Sequence, residues 1–163
     1  MTVPPDVDAE IDLTTLRDEV IDRKHFAREC RVRDYYAEHL SNFRPGELLV
    51  SREQGYPTSA TRADMRTVDA DNILREWEFK ISADYRALGQ IIQYVALARL
   101  AENFRKIRGV IAAFKFSPEL PKVVEVANLS IELVEIPDVA RGAGGIVRTT
   151  VADRNVRALP RIY

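Results

Sequence analysis

Arg62-Ala-Asp-Met-Arg-Thr-Val-Asp-Ala-Asp-Asn-Ile-Leu-Arg-Glu-Trp-Glu-Phe-Lys-Ile81 decides how the chain is read. It has the form of a β-hairpin. A first strand covers about Arg62–Val68, Asp69-Ala-Asp-Asn72 supplies a polar turn, and a second strand runs from Ile73 to Ile81. The second strand alternates with period two. Leu74, Glu76, Glu78 and Lys80 fall on one face; Ile73, Arg75, Trp77, Phe79 and Ile81 fall on the other.

The apolar set Trp77, Phe79 and Ile81 marks this strand as central, so its second face brings two carboxylates and an ammonium to the edge of the core. Unpaired charge is costly there. Asp64, on the antiparallel neighbour, reaches the same face. Three carboxylates and one lysine on rigid strands call for a compensating cation, and a divalent ion answers that need.

Working outward, residues 1–12 read as a loose acidic lead-in. Residues 13–43 are helical in composition, free of Gly and Pro, with Asp12, Thr14 or Thr15 as cap and a break expected near Arg33-Asp34. Arg44-Pro-Gly46 stops the helix. Glu47–Glu53 reads as a first strand and Gln54–Ala60 as a loop. After the hairpin, Ser82 or Asp84 caps a long helix reaching about Phe104. Val110-Ile-Ala-Ala-Phe114 is a buried strand, Pro118–Ala127 a short helix, and Ser130–Ile136 a last strand stopped by Pro137. The resulting order, αβββαβαβ, is an α/β fold with a mixed central sheet flanked by helices. Residues 13–137 form the folded domain. Residues 138–163 make a basic tail whose arginines (Arg141, Arg148, Arg154, Arg157, Arg161) serve as a phosphate-binding arm, a docking segment or a disordered end.

With 163 residues the chain suffices for one domain. A net charge of −1 gives no bulk positive field, so any contact with nucleic acid must come from local patches. No run approaches the length of a membrane span, and the acidic start lacks the apolar core of a signal peptide; both lead to a cytoplasmic expectation. A single cysteine, Cys30, excludes an internal disulfide, and with only His25 and His39 a structural zinc site is not expected.

Asp64 on the second strand, Glu78-x-Lys80 on the third and Gln90-Ile-Ile-Gln-Tyr94 on the following helix resemble the PD-(D/E)xK nuclease superfamily in its RecB-like Gln-x-x-x-Tyr variant. The resemblance spans roughly residues 30–135 and implies a restriction-endonuclease-like core. By that resemblance Asp64 and Glu78 bind Mg²⁺ or Mn²⁺ and Lys80 assists the attacking water, while Gln90 and Tyr94 belong to the catalytic set. A first-helix Glu joins the metal; Glu38 is the first choice and Glu29 the second. Ala63 stands at the position of the motif's proline, which many members lack.

The residues carry this reading on their own chemistry as well. Phosphodiester hydrolysis needs an oriented water and charge neutralisation at the phosphate, which an ion held by carboxylates supplies. Glu76 either extends the metal shell or pairs with Lys80 or an arginine. Gln90 and Tyr94, one helical turn apart, point the same way and hold the lysine, a nucleotide or the water. The expected function is a metal-dependent nuclease acting on DNA ahead of RNA. The alternative is a nuclease-fold binding or assembly module with little or no catalysis. So short a chain offers little surface to a duplex, which favours a homodimer.

Overall fold

The computed structural model describes residues 13–103 and 105–143, with side chains from Asp18 onward. The lead-in and most of the tail, with Arg148, Arg154, Arg157 and Arg161, lie outside the described residues.

Among the described residues ten elements follow one another: α1 (Leu13–Glu38), α2 (Leu40–Phe43), β1 (Leu48–Tyr56), β2 (Ser59–Val68), β3 (Leu74–Ala83), α3 (Tyr85–Ala101), β4 (Ile107–Phe116), α4 (Leu120–Ala127), β5 (Ile131–Glu135) and α5 (Asp138–Arg141). The strands form one sheet in sequence order, β1-β2-β3-β4-β5. The pairs β1–β2 and β2–β3 are antiparallel; β3–β4 and β4–β5 are parallel and joined through helices. The mixed sheet expected from the hairpin and the later helical crossovers is therefore present.

Two cores sandwich it. On one face Leu74, Ile111 and Ala113 meet Leu88, Ile91, Val95 and Ala98 of α3, with Leu120 of α4. On the other, Met65, Trp77, Phe79, Val110 and Ala112 meet Val32, Tyr36 and Ala37 of α1, Leu40 of α2 and Ala140 of α5. The alternation of β3 drives this division, because Trp77 and Phe79 are buried on one face and Leu74 on the other.

Three local expectations need correction. α1 continues unbroken through Arg33 and Asp34; Asp34 makes its contacts from the helix surface, to Arg33 at 2.9 Å and Arg52 at 3.3 Å. Gln54, Gly55 and Tyr56 belong to β1, so the expected loop shrinks to a tight turn at Pro57 and Thr58. The start of the tail forms the short helix α5. Asp84 is the cap of α3, its carboxylate accepting from the Arg86 amide at 2.8 Å.

The end of the sheet where β3 begins is tied by charge. Arg75 bridges Asp69 at 2.6 Å and Glu132 at 2.9 Å, and Arg44 reaches Glu132 at 3.0 Å. Trp77 Nε1 donates to Thr67 Oγ1 at 2.8 Å, and Thr67 in turn donates to Glu47 at 2.8 Å. This network fixes the root of the central strand that carries the candidate site.

Candidate active site

The ladder between β2 and β3 ends at the Met65–Trp77 pair, while β3 continues to Ala83. Past that point the strands part, and the amides of β3 that faced β2 lose their backbone partners. Carboxylates take them. The Phe79 amide donates to Asp64 Oδ2 at 2.7 Å, and the Ile81 amide donates to Glu29 Oε1 at 3.1 Å. A buried amide must find an acceptor, and here the acceptors are the acids themselves.

Lys80 stands in the fork. Its Nζ lies 2.6 Å from Glu78 Oε1 and 3.8 Å from Glu29 Oε2. Asp64, Glu78, Lys80 and Glu29 thus converge from β2, β3 and α1. Glu38 does not; it is exposed at the end of α1, and the acid of this helix that lies beside Lys80 is Glu29. The resemblance that put Glu38 ahead of Glu29 rests on no sharp motif in this helix, and the charged and apolar residues of α1 follow no clean stripe that would choose between them.

The charges do not balance. Burial raises the pKa of Asp64, against the Phe79 amide and Lys80, which lower it. Burial, then Asp64, push Glu78 up to about 7, with Lys80 opposing. For Lys80, burial works against the ammonium, but Glu78 and then Glu29 outweigh it and hold the proton on more tightly. Desolvation lifts the two acids against the pull of Lys80, and the acids in turn lift Lys80 against its own desolvation.

α3 closes the other side. Tyr94 is buried, and its phenol pKa is raised by burial and then by Glu78 and Asp64. Gln90 is partly exposed one turn earlier. Tyr56 stacks on Tyr94 with ring centroids 6.1 Å apart.

Glu76 is not part of this cluster. It is fully buried and clasped by Arg66, 2.7 Å from Nε, and Arg66 reaches on to Glu102 at 2.8 Å. Of the alternatives open from sequence, pairing with an arginine is the one the structure contains. Arg33, in contrast, was not singled out. It lies one turn beyond Glu29, contacts Glu53 at 3.3 Å, and its charge lowers the pKa of Asp64. Its four-residue spacing from Glu29 was the only available signal.

Among the described residues, no three or more His, Cys, Asp or Glu side chains form a ready-made metal cage. The Lys80 ammonium fills the space between the acids. The donor set nevertheless fits a hard divalent cation: carboxylate oxygens in excess, held apart by their own repulsion and by bonds to the backbone. An open cleft of about 410 Å³ lies away from these acids, between Phe43–Glu47 and Asp69–Asp71. It belongs to the charge network at the root of the sheet.

Comparison with solved structures places this architecture. EndoMS in its dsDNA2 complex matches at 24% identity and TM-score 0.53, over 64% of this chain and 43% of that one. A repair endonuclease from Pyrococcus abyssi matches at 23% and 0.54, over 64% and 45%. The core is restriction-endonuclease-like. EndoMS in its apo form matches in the same way, at 24% and 0.53, over 67% and 47%. The chain spans less than half the length of these structures. No protein-family profile matches it, and no curated protein matches it. Among the described residues, no helix is long and apolar enough to cross a membrane.

Proposed function

We propose that this chain is a divalent-metal-dependent DNA nuclease of the PD-(D/E)xK type, in its Gln-x-x-x-Tyr variant. The observation that carries the reading is the parting of β2 from β3, which gathers Asp64, Glu78, Glu29 and Lys80 at the freed edge of one strand. The likeness of the core to repair endonucleases, one of them solved in a dsDNA complex, supports DNA as the substrate.

In this reading Asp64 and Glu78 hold Mg²⁺ or Mn²⁺, with Glu29 as third acid. The ion, when bound, neutralises the phosphate and lowers the pKa of the attacking water. Asp64 keeps one oxygen on the Phe79 amide, which fixes its direction. Lys80, whose ammonium lies 2.6 Å from Glu78, would be the residue that meets the attacking water or the phosphate once an ion occupies the acids. Tyr94 holds Glu78 from the side of α3, and Gln90 orients Tyr94.

The test is cleavage of supercoiled plasmid, linear duplex and single-stranded DNA with Mg²⁺, Mn²⁺ or EDTA, for wild type beside Lys80→Ala. Metal-dependent cutting lost in the variant is expected, with circular dichroism unchanged. Cutting that survives both Lys80→Ala and Glu78→Ala would overturn the proposal. A second reading, a nuclease-fold binding or assembly module without turnover, draws on the ammonium already lodged between the acids. DNA retention without cleavage under every metal condition selects it.

A further inference from the structure

The edge strand β1 reaches toward the candidate site at one residue. Tyr56 closes that strand and is buried, whereas the eight residues before it are exposed or half-buried. Its ring lies in the same core as Leu74 and Tyr94, on the α3 side of the sheet. It meets the ring of Tyr94 with 19° between the planes and the centroids 6.1 Å apart. That is the offset, near-parallel contact that aromatic rings favour.

The other end of Tyr56 is polar. Its hydroxyl is buried with no hydrogen-bond partner among the described residues, and so is Glu76 Oε2. After burial, the charge of Glu76 does most to raise the pKa of Tyr56, so the hydroxyl stays protonated beside that carboxylate. Glu76 is itself held: Arg66 Nε donates to Oε1 at 2.7 Å, and Arg66 reaches Glu102 at 2.8 Å. A buried ion pair is weak evidence for stability. Here it gives the phenol of Tyr56 a fixed charge to sit against.

Tyr94, in turn, is the α3 residue on which Glu78 acts first among the charges. One line of side chains therefore runs beneath α3, from Arg66 of β2 through Glu76 of β3 and Tyr56 of β1 to Tyr94, and it ends at Glu78. A buried ring changes rotamer only where there is room for it, and Tyr56 fills the room on one side of Tyr94.

We propose that Tyr56 is a positioning residue of the candidate site, whose ring holds Tyr94 in the rotamer that faces Glu78. If Glu78 binds the ion, as the nuclease reading requires, Tyr56 fixes that carboxylate at one remove. Groups that orient a metal-binding side chain are worth about ten- to a hundredfold in metal affinity.

Two measurements on the full chain test the assignment. One is the set of three-bond χ1 couplings of the Tyr94 ring in metal-free, isotope-labelled protein; the other is the Mn²⁺ dissociation constant by titration calorimetry. Tyr56→Leu removes the ring. Tyr94 should then average between rotamers, and Mn²⁺ should bind at least about tenfold more weakly. Tyr56→Phe restores the ring and should restore both the couplings and the affinity, although it should melt lower than wild type for want of the hydroxyl beside Glu76. A residue that only supported the core would lose affinity in step with stability. With Tyr94→Leu already present, Tyr56→Leu should weaken Mn²⁺ binding no further. Should Tyr56→Leu fail to fold, Tyr56→Met fills more of the space without a flat face and takes its place. Unchanged Tyr94 couplings in the ringless variant, a Tyr56→Phe as weak as Tyr56→Leu, or losses that add to those of Tyr94→Leu would each overturn the assignment. A wild type that binds no Mn²⁺, with Tyr94 couplings that respond as expected, would sink the nuclease reading and leave the positioning of Tyr94 standing.

Discussion

Lys80 is one cation among more negative charge than it can neutralise, and that imbalance has measurable consequences. Glu78, raised to about 7 from an ordinary value of 4.5, binds its proton more tightly folded than unfolded. Its contribution to stability is therefore full below about pH 4.5 and is lost as pH rises to about 7, a change of about 3 kcal/mol. Glu78→Gln should accordingly raise the metal-free melting temperature at pH 8 and leave it little changed at pH 4. Mg²⁺ should do the same for wild type, by about 2.7 kcal/mol at a hundredfold excess over its dissociation constant. The rise should be larger at pH 8 than at pH 6, because the proton on Glu78 competes with the ion. Asp64→Asn should abolish it. A metal-induced shift independent of pH would contradict this account. The residues behind it were legible to different degrees. Asp64, Glu78 and Lys80 could be placed on one face because a strand repeats every two residues. Glu29 ranked behind Glu38 because the first-helix acid of the resemblance sits in no sharp motif, and the weak stripe of α1 gives no phase to correct it. Arg33 was one arginine among many.

At the scale of the element, the position of α3 depends on a missing side chain. A Cβ on Gly109 of β4 would lie 2.7 Å from Ile91 Cγ1 and 3.2 Å from Val95 Cγ2. Both atoms are near the branch points of packed side chains, so the helix itself must move. Gly109→Ala should cost about 1–3 kcal/mol by thermal denaturation. It should also lower cleavage activity without touching the acids, since Gln90 and Tyr94 ride on the same helix. Thr67→Val should act at the root of β3. It strands Trp77 Nε1, for a loss of about 1–3 kcal/mol if left unpaired, and takes one donor from Glu47, which keeps Arg44 at 2.6 Å. The elements themselves were mostly visible, since turns, caps and alternation are local signals. β1 was cut short because Gln54-Gly-Tyr-Pro reads as a turn, whereas three of those residues are held in strand by pairing with β2. Cross-strand pairing overrides local composition there.

For the whole molecule, the sheet has two ends that respond to acid in opposite senses. At the site end, protonation relieves repulsion. At the root, burial raises the pKa of Glu132, but Arg75 and Arg44 outweigh it, and the carboxyl ends below its ordinary 4.5. That contribution is present above about pH 4.5 and is lost as pH falls through the depressed value. Glu132→Gln should therefore destabilise the protein at neutral pH and flatten the loss of stability at acid pH, read by thermal melts across a pH series. The layered α/β arrangement followed from the order of periodicities along the chain. Neither charge network did, because Arg75–Glu132 and Arg66–Glu102 join residues far apart in sequence and leave no periodic trace.

The Phe79 amide gives the protein an internal indicator. Its hydrogen is held by a carboxylate that belongs to the candidate catalytic set, not by a strand carbonyl. In a ¹⁵N-labelled sample that one resonance should move with the protonation of Asp64 and again on metal addition. The amides of Trp77 and Arg75, inside the ladder, should remain still. A single backbone signal would then follow the loading of the site with no substrate present.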